Sequence, residues 1–418
     1  MNQVFRRNAL YGYRRGVLYA VALTAAWSVS VGGTAAAAPI TDPQSRQWYL
    51  EAMTAEKIWK TSTGEGIKVA VIDSGVNPST PSLKGQVLKG VDFSGAAGEA
   101  SDDFDGHGTS MAELIAGTGK GGGLKGLAPG AKIIPYRVSD TELQNQEKVN
   151  AFDMEQAIRA AVDSEAHIIN VSMGSEYYNT AIRDGVKYAQ RKGKLLFASS
   201  GNEATKGNKK AYPAAYPEAI AVAASGPDGN VGDYSVHGAF VDIAAPGSEI
   251  PTYCDKALTR YCLSQGTSIA TAIASASAAL IWSKHPDWNG NQVLRVMFES
   301  AARDWKPGTI STYLGHGIVR PGAHINRGLG KPGDPNITPL TNERVGGTAS
   351  ASPKPSAPAS TKPQEGKPGS EVTAAGASKD AAQETDGDSK SGLVIGGVAL
   401  VVALAGAAYA IARRRRSA

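Results

Sequence analysis

Short apolar runs alternate with helical patterns through residues 67–225, and this alternation constrains the fold more than any other feature of the sequence. Each run has the length of a buried strand, and helical stretches at 154–164 and 179–193 separate several of them. Such alternation predicts an α/β fold with a mainly parallel central sheet flanked by helices. The runs are IKVAVID (67–73), AKIIPYRV (131–138), AHIINVSM (166–173), KLLFASS (194–200) and AIAVAAS (219–225).

The first 38 residues lie outside this alternation. Residues 1–38 combine a basic start, an apolar stretch and the small-residue sequence TAAAAP. This order is typical of a secretory signal peptide cleaved near Ala38, with an uncleaved anchor as the alternative. We therefore expect the body of the protein, from residue 39, to be exported. The basic residues are Arg6, Arg7, Arg14 and Arg15.

A second apolar segment lies near the C-terminus, at residues 391–412, and its run from Leu393 to Ala412 contains no charged residue. About 20 apolar residues suffice to cross a bilayer, so we expect a transmembrane helix. The basic tail at 413–418, which has arginine at positions 413–416, favours a cytoplasmic C-terminus. The expected location is the cell membrane, crossed once, with the body of the protein extracellular.

The segment between the body and this span, residues 331–390, is rich in Pro, Ala, Ser, Thr, Lys and Gly. Such a composition buries too little apolar surface to offset the entropy of ordering, so we expect a flexible linker. The net charge is +5, and eight arginines lie at the two ends of the chain. No basic surface is needed to explain the charge, and we expect no nucleic-acid partner.

Cys254 and Cys262 are the two cysteines of the chain. An even pair in an exported protein is most simply a disulfide, which here would close a short loop. The pair has neither the CxxC spacing nor the neighbouring histidines of a redox or metal site. We therefore expect a structural role for both cysteines.

Three residues with the chemistry of hydrolysis lie next to predicted strand and helix ends. Asp73 ends the first strand, His107 opens a helical pattern, and Ser268 precedes an alanine-rich run. Taken alone, Asp73 could be a turn-capping residue and Ser268 part of a small-residue core helix. Together they meet the need of a nucleophilic serine for a histidine base oriented by a carboxylate. The chain order Asp, His, Ser is one of the few known for that triad on an α/β scaffold.

The residues around these positions make up the blocks of a known family. VAVIDSGV, DGHGTSMAELIAG, FASSGNE and GTSIATAIASASAAL stand in family order, and the sequence resembles the subtilisin-like serine proteases over residues 47–326. The resemblance implies that residues 39–330 form a peptidase domain of subtilisin-like fold with a short N-terminal arm. It also implies the catalytic roles: Ser268 as nucleophile, His107 as base, Asp73 as the partner of His107, and Asn202 with the Ser268 amide as oxyanion donors.

The same resemblance places the substrate cleft between two segments that follow predicted strands, where glycines would leave room for a P1 side chain. Glu203 falls at the rim, either favouring polar or basic P1 groups or serving only as a solvated acid. Pro213 matches a position where the family often has a cis peptide, and 139–150 match the S2–S4 side. The expected substrate-binding residues are Ser172, Met173, Gly174, Ser199, Ser200 and Gly201.

Three departures from the family pattern indicate a subgroup. Ala272 stands where the serine block usually has proline. The segment GTGKGGGLKGLAPG lacks the oxygen ligands of the family's calcium loop; we expect no metal and no cofactor. Few residues precede the peptidase blocks, so a short arm is expected along the domain in place of a folding prodomain. Arm, disulfide, linker and anchor together resemble the mycosin subgroup, the membrane-anchored subtilases of type VII secretion systems in actinobacteria.

The expected function is an extracellular, membrane-anchored serine endopeptidase that hydrolyses peptide bonds through an acyl-enzyme. Its partners would be protein or peptide substrates and a type VII secretion membrane complex. The alternative is a largely non-catalytic scaffold that keeps the fold and stabilises such a complex. A lipase or esterase is excluded because no G-x-S-x-G elbow surrounds Ser268.

Overall fold

A seven-stranded sheet forms the centre of the protein in the computed structural model, which describes residues 40–139 and 151–345. Its strands are β1 (Lys68–Asp73), β2 (Val91–Asp92), β3 (Lys132–Arg137), β4 (Ile168–Val171), β5 (Leu195–Ser199), β6 (Ile220–Ser225) and β7 (Ile243–Pro246). The strands pair in parallel in the order β2–β3–β1–β4–β5–β6–β7. The predicted α/β sheet is confirmed, and each predicted strand lies within two residues of its expected bounds.

Helices cover both faces of this sheet, and the two helices predicted at 154–164 and 179–193 are present. Single 3₁₀ turns lie at Gln44–Arg46, Lys120–Gly122 and Ala204–Lys206. The helices are α1 (Trp48–Ala52), α2 (Ala55–Ile58), α3 (His107–Ala116), α4 (Ala151–Asp163), α5 (Thr180–Arg191), α6 (Thr267–Lys284), α7 (Gly290–Ser300) and α8 (Pro321–Ile325).

The alternation of side chains along each strand divides the core into two layers. In β1, Val69 and Val71 face the layer of α3, α6 and α7, whereas Ala70 and Ile72 face the layer of α4 and α5. Because both faces are buried, the strands are apolar at nearly every position rather than at every second one. Small residues allow α6 to pack across β4, β5, β6 and β7 while buried along most of its length.

A separate antiparallel hairpin consists of β8 (Ile250–Tyr253) and β9 (Tyr261–Ser264). The predicted pairing of Cys254 and Cys262 is present, with an S–S distance of 2.10 Å and a Cα–Cα distance of 5.6 Å. β9 leads almost directly into α6, the helix that begins at Thr267. The hairpin is therefore connected to the start of the helix that contains Ser268.

The N-terminal arm lies along the peptidase body, as expected. The Ile40 amide donates to the Tyr261 carbonyl oxygen at 2.8 Å. The side-chain amide of Gln44 donates to the carbonyl oxygens of Gly119 and Gly123 at 2.7 and 2.8 Å. These contacts fix the arm against β9 and against the glycine-rich segment that follows α3.

The folded region extends past residue 330, where the sequence predicted a flexible linker to begin. Arg295 of α7 donates to the Ile337 carbonyl oxygen, and the Asn289 side chain donates to the Pro335 carbonyl oxygen, each at 2.8 Å. Thr338 is buried. The expected boundary is therefore wrong, because side chains of the body satisfy the backbone carbonyls of this polar segment and hold residues 331–345 in place.

Several predicted segments lie outside the described residues. These are the signal peptide at 1–38, most of the loop at 139–150, and the chain from 346 onward, which includes the predicted span at 391–412 and the tail at 413–418. The residues 40–345 that are described belong to one compact unit, Met1–Ser352. None of the helices in this described part of the chain has the length and apolar character needed to cross a membrane.

Candidate active site

The candidate residues follow the carboxyl ends of three neighbouring strands. Asp73 is the last residue of β1, Ser172 follows β4, and Ser199 ends β5. The sheet order reverses at β1, since the chain continues to β2 and β3 on one side and then to β4 on the other. Open parallel sheets bind ligands at such switch points, so the strand order brings these residues to one edge.

Asp73 and His107 are in direct contact: Nδ1 of His107 lies 2.7 Å from Oδ1 of Asp73. The carboxylate is fully buried, and the Ser74 amide donates to the same oxygen at 2.8 Å. An ionised carboxylate only accepts, so the neutral ring holds its proton on Nδ1 and has Nε2 as its basic nitrogen. The His107 side chain is 33% exposed and is therefore accessible from solvent.

The pKa of His107 reflects opposing effects. Burial lowers the pKa, whereas the charge of Asp73, its hydrogen bond to the ring and the charges of Asp105 and Asp103 raise it, to about 9 on balance. The carboxylates thus stabilise the charged imidazolium relative to the neutral ring. Once neutral, a histidine in these surroundings accepts a proton more readily than a free one.

His107 reaches Asp73 because Gly108 lets α3 approach the loop after β1. A Cβ atom on Gly108 would lie 2.1 Å from the Gly75 carbonyl oxygen and 3.0 Å from the Cβ of Asp73. No side chain fits in that space. The glycine after the histidine is therefore required by the close approach that forms the Asp73–His107 pair.

Asp103 holds the first turn of α3, although none of the sequence patterns above singles it out. Its buried carboxylate accepts hydrogen bonds from the Gly106 amide at 2.8 Å, the Thr109 amide at 2.8 Å and the Ser74 hydroxyl at 2.9 Å. These bonds satisfy amides at the helix start and tie them to the residue after β1. The signal that could have identified Asp103 is an acid four positions before the histidine, in DDFDGH.

Ser268 is the second residue of α6 and lies beside the end of β4. Its hydroxyl donates to the Ser172 carbonyl oxygen at 2.8 Å, and the Ser172 hydroxyl donates to the Ser268 carbonyl oxygen at 3.2 Å. The structure thus brings Ser268 and His107 to one cavity but gives the Ser268 hydroxyl a partner other than the histidine. Because Ser268 is in the first helical turn, its backbone N–H has no acceptor within the helix.

Asn202 is held by the residue that precedes Ser268. Its Oδ1 accepts hydrogen bonds from the amide of Thr267 at 2.9 Å and from the Thr267 hydroxyl at 3.0 Å. A backbone N–H can only donate, so the bonded atom must be the oxygen, and Nδ2 is directed elsewhere as a donor. The Asn202 side chain is exposed, and the residue lines the same cavity as His107 and Ser268.

The segments predicted to bind substrate lie beside each other after β4 and β5, but several of their side chains are buried. Ser172, Ser199 and Ser200 are buried, and none of the six predicted substrate-binding residues lines the cavity that His107, Ser268 and Asn202 share. Met173 is partly buried against the layer of α4 and α5. Gly201 has a φ of +112°, a conformation that favours glycine.

The segment of Gly174 and Ser175 is held by the chain around Tyr212. Ser175 and Tyr212 exchange two backbone hydrogen bonds, at 3.0 and 2.8 Å, and a Cβ on Gly174 would lie 2.8 Å from the Tyr212 carbonyl oxygen. The peptide bond between Tyr212 and Pro213 is cis, as the resemblance implied. Glu203 is exposed next to Asn202, and its carboxylate accepts a hydrogen bond from the backbone N–H of Asn202 at 2.9 Å.

His107, Ser268 and Asn202 line one cavity of about 340 Å³. Its other wall comes from the hairpin, through Thr252, Tyr253 and Ser264. The sequence predicted a disulfide that closes a short loop here, but it predicted neither the hairpin nor its place beside the site. The signal available was its position, because the hairpin directly precedes GTS in the chain.

The chain order of these groups separates two classes of serine hydrolase. In the esterases of the α/β class the serine comes first, whereas here Asp73 and His107 precede Ser268. The parallel α/β sheet and this order of residues fit the class of serine hydrolases in which Asp, His and Ser follow each other along the chain. A model of the subtilase family matches residues 64–317, more than half of the chain, and the chain belongs to that family of serine proteases.

Curated relatives agree with this assignment. The chain is 34% identical over 241 residues to thermitase of Thermoactinomyces vulgaris, a match that covers 57% of this chain and 83% of thermitase. It is 35% identical over 256 residues to subtilisin E of Bacillus subtilis strain 168, covering 61% of this chain and 62% of that protein. The match thus spans less than two thirds of the length of subtilisin E.

Among solved structures, the chain is similar to the serine protease MycP1, described as an essential component of the type VII (ESX-1) secretion system. The TM-score is 0.59 at 27% sequence identity, over 70% of this chain and 92% of the MycP1 structure. The similarity therefore includes nearly all of the MycP1 structure.

Proposed function

We propose that the protein is an extracellular, membrane-anchored serine endopeptidase that cleaves exported proteins through Asp73, His107 and Ser268. The observation that carries the proposal is the 2.7 Å contact between His107 Nδ1 and the buried Asp73 carboxylate. This contact leaves the basic nitrogen of the imidazole available near a serine at a helix start. A histidine oriented in this way is what a serine hydroxyl needs in order to attack a carbonyl.

In the proposed reaction, Ser268 Oγ attacks the scissile carbonyl while its proton moves to Nε2 of His107. His107 then donates this proton to the leaving amine, and water activated by the same histidine releases the acyl group. The present hydrogen bond from the Ser268 hydroxyl to Ser172 must first be exchanged for one to His107. The proposed reaction therefore requires the Ser268 side chain to rotate, and catalytic hydrogen bonds often form fully only in the substrate complex.

The negative charge on the tetrahedral intermediate would be stabilised by two donors. One is the backbone N–H of Ser268, which lies at the positive end of the α6 dipole. The other is Nδ2 of Asn202, which the Thr267 amide orients through Oδ1. A donor of this kind contributes about 3 kcal/mol of transition-state stabilisation.

The proposed location follows from the two ends of the sequence. A signal peptide at 1–38 and a transmembrane helix at 391–412 would leave the peptidase domain outside the cell, attached through a linker that begins after residue 345. With many prolines, a linker of about 45 residues could reach on the order of 100 Å, at about 3.1 Å per residue. The peptidase could then act at some distance from the membrane surface.

The similarity to MycP1 supports a place for this protein in a type VII secretion system as a mycosin-like protease. Exported proteins of that system would be the substrates, and its membrane complex would be the partner. A scaffold that stabilises the complex is the second candidate. The observation that favours it is the Ser268 hydroxyl, whose hydrogen bond goes to Ser172 and not to the proposed base.

Labelling by a fluorophosphonate probe tests the proposed nucleophile, because the probe reacts with activated serines. We expect the purified protein to be labelled, and Ser268→Ala to abolish labelling. Ser277→Ala is the matched control, since Ser277 is a buried serine on the same helix that donates to the Ile273 carbonyl oxygen. Folded wild type that fails to react would contradict the peptidase proposal and leave the scaffold.

Complementation of a deletion strain separates the two candidate roles. If proteolysis is the main role, Ser268→Ala should fail to restore normal processing and secretion of exported proteins. Mapping of the N-terminal peptides in the secretome would identify the cleavage sites that depend on Ser268. Full restoration of secretion by Ser268→Ala would instead assign the main role to scaffolding.

A further inference from the structure

The hairpin of β8 and β9 connects the helix that carries His107 with the helix that carries Ser268. The Tyr253 amide donates to the Ser110 hydroxyl of α3 at 3.1 Å, three residues beyond His107. At its other end the hairpin finishes at Ser264, four residues before Ser268. α3 and α6 also pack directly, so the hairpin is a second connection, located at the end where the reacting groups lie.

Glu113 is a buried acid on α3, six residues after His107, and the hydrolytic mechanism does not use it. Its carboxylate accepts hydrogen bonds from the hydroxyls of Tyr261 at 2.6 Å, Tyr253 at 3.0 Å and Thr80 at 3.1 Å. Burial raises the pKa of Glu113, and the three hydroxyl donors lower it. A carboxyl group is costly to bury unless its oxygens are satisfied, so these donors are essential to its placement.

Two of the three donors form a cross-strand pair in the hairpin. Tyr253 and Tyr261 lie opposite each other in the register of β8 and β9, and their ring centroids are 4.3 Å apart. The residues that follow them, Cys254 and Cys262, are joined by the disulfide. Glu113 therefore binds both strands of the hairpin at the place where the disulfide holds those strands together.

We propose that Glu113 is a positioning residue for the peptidase reaction. Through the Tyr253–Tyr261 pair it fixes the disulfide-closed hairpin, and with it the start of the Ser268 helix, against the helix that carries His107. The inference rests on the function proposed above, because it concerns the alignment of the same two reacting groups. It also explains how the hairpin wall of the active-site cavity keeps its position.

A purely structural Glu113 would behave differently from a positioning one. Loss of buried hydrogen bonds to a carboxylate costs stability, which changes the unfolding temperature but not the turnover of molecules that remain folded. Misplacement of reacting groups by about 1 Å can cost about 100-fold in rate. Turnover measured well below the unfolding temperature therefore distinguishes the two roles.

The test uses variants that preserve volume while weakening the contact. Glu113→Gln keeps the shape but replaces one acceptor oxygen by an NH₂ group, and Tyr261→Phe removes only the hydroxyl with the shortest contact. Gln86→Met is the matched control. Gln86 is also buried, and its side-chain amide donates to the carbonyl oxygens of Ala116 and Pro129, at the end of α3 that lies away from His107. The readouts are kcat and KM on a peptide substrate and the rate of fluorophosphonate labelling, with thermal unfolding measured in parallel.

We expect Glu113→Gln and Tyr261→Phe to lower kcat and the labelling rate by about 10-fold or more, with KM changed by less than about threefold. The double variant should lose less than the product of the two single effects, since both remove the same contact. Gln86→Met should lower the unfolding temperature but keep kcat. Normal kcat in folded Glu113→Gln and Tyr261→Phe, beside a labelled wild type, would overturn the positioning role alone, whereas an unlabelled wild type would overturn the peptidase proposal itself.

Discussion

The protonation state of His107 determines whether the site can act as a base, because only the neutral ring can accept the Ser268 proton. Asp73 and the nearby carboxylates outweigh burial and raise the pKa of this histidine from 6.5 to about 9. The neutral form is populated above the pKa. We therefore expect kcat/KM to rise with pH through a midpoint above 6.5, in the direction of 9.

Asp73→Asn tests the cause of that shift. Without the carboxylate charge the imidazolium loses its main stabilisation, so the midpoint should move to lower pH, and kcat should fall on the order of 10⁴-fold. A pH profile of kcat/KM on a peptide substrate measures both effects. A wild-type midpoint below 6.5, or one that Asp73→Asn leaves in place, would contradict this account.

At Asn202, a substitution can remove the proposed oxyanion donor, Nδ2, and keep the acceptor oxygen that binds Thr267. Asn202→Asp keeps an oxygen for the Thr267 amide and hydroxyl but lacks the Nδ2 donor. We expect kcat to fall about 100-fold to 1,000-fold with KM nearly unchanged, because the donor acts on the transition state. Steady-state kinetics check this, with Glu203→Gln at the exposed neighbouring position as the control. The two variants change the local charge in opposite directions, so an equal loss in both would show that disturbance of this loop, and not loss of the donor, is responsible.

At the scale of elements, the first turn of α3 is held by Asp103, a residue that lies outside the helix. Asp103→Ala would leave the buried Gly106 and Thr109 amides and the Ser74 hydroxyl without this acceptor. Each orphaned buried group costs about 1–3 kcal/mol, so the free energy of unfolding should fall by at least that amount. Because the same turn presents His107, kcat should fall too.

Denaturant unfolding and kinetics on the same samples test Asp103. Asp103→Asn, which retains one acceptor oxygen, should show an intermediate loss in both measurements. A variant that loses stability but keeps wild-type kcat would mean that the first turn of α3 holds His107 without this carboxylate. The pH midpoint of kcat/KM should still move to lower pH, because the charge of Asp103 contributes to the raised pKa of His107.

Sequence patterns predicted those elements in which burial is visible from the residue types themselves. β1 and β4 appear as unbroken apolar runs because both of their faces are covered, and Asp73 is identifiable because it ends such a run. Glu113 is different: an acid in a helix usually faces solvent, and its burial here depends on hydroxyl donors that are distant in the sequence, from Thr80, Tyr253 and Tyr261. Long-range pairing of this kind leaves no local pattern in the sequence.

The same limit applies to Ser268. Its position at a helix start follows from the GTS sequence and the run of small residues, but its hydrogen bond to Ser172 depends on how α6 sits against β4. Side-chain rotation is decided by contacts between elements, which neither spacing nor composition specifies. The same holds for a whole segment. Residues 331–345 have a composition typical of a linker, but contacts with α7 and with the residue before it hold them in place.

At the scale of the whole molecule, the boundary between the folded domain and the linker determines where the chain can be truncated without loss of stability. Residues 331–345 provide the carbonyl oxygens of Pro335 and Ile337 to Asn289 and Arg295, and Leu340 packs against the core of the α6 layer. Removal of this segment would expose apolar surface and leave those side chains without their acceptors. The segment therefore belongs to the peptidase domain.

Two truncations test this boundary and the proposed anchor together. A chain ending at residue 345 should keep the unfolding temperature and kcat/KM of the full-length protein, because it keeps the contacts of α7, but it should no longer sediment with membranes. A chain ending at residue 330 should unfold several degrees lower, since one or two kcal/mol shifts the midpoint of a domain this size by a few degrees. Thermal unfolding, peptide kinetics and membrane fractionation measure the three properties.

Equal stability of both truncations would place the boundary back at 330. Membrane association of the chain ending at 345 would show that the predicted span is not what anchors the protein.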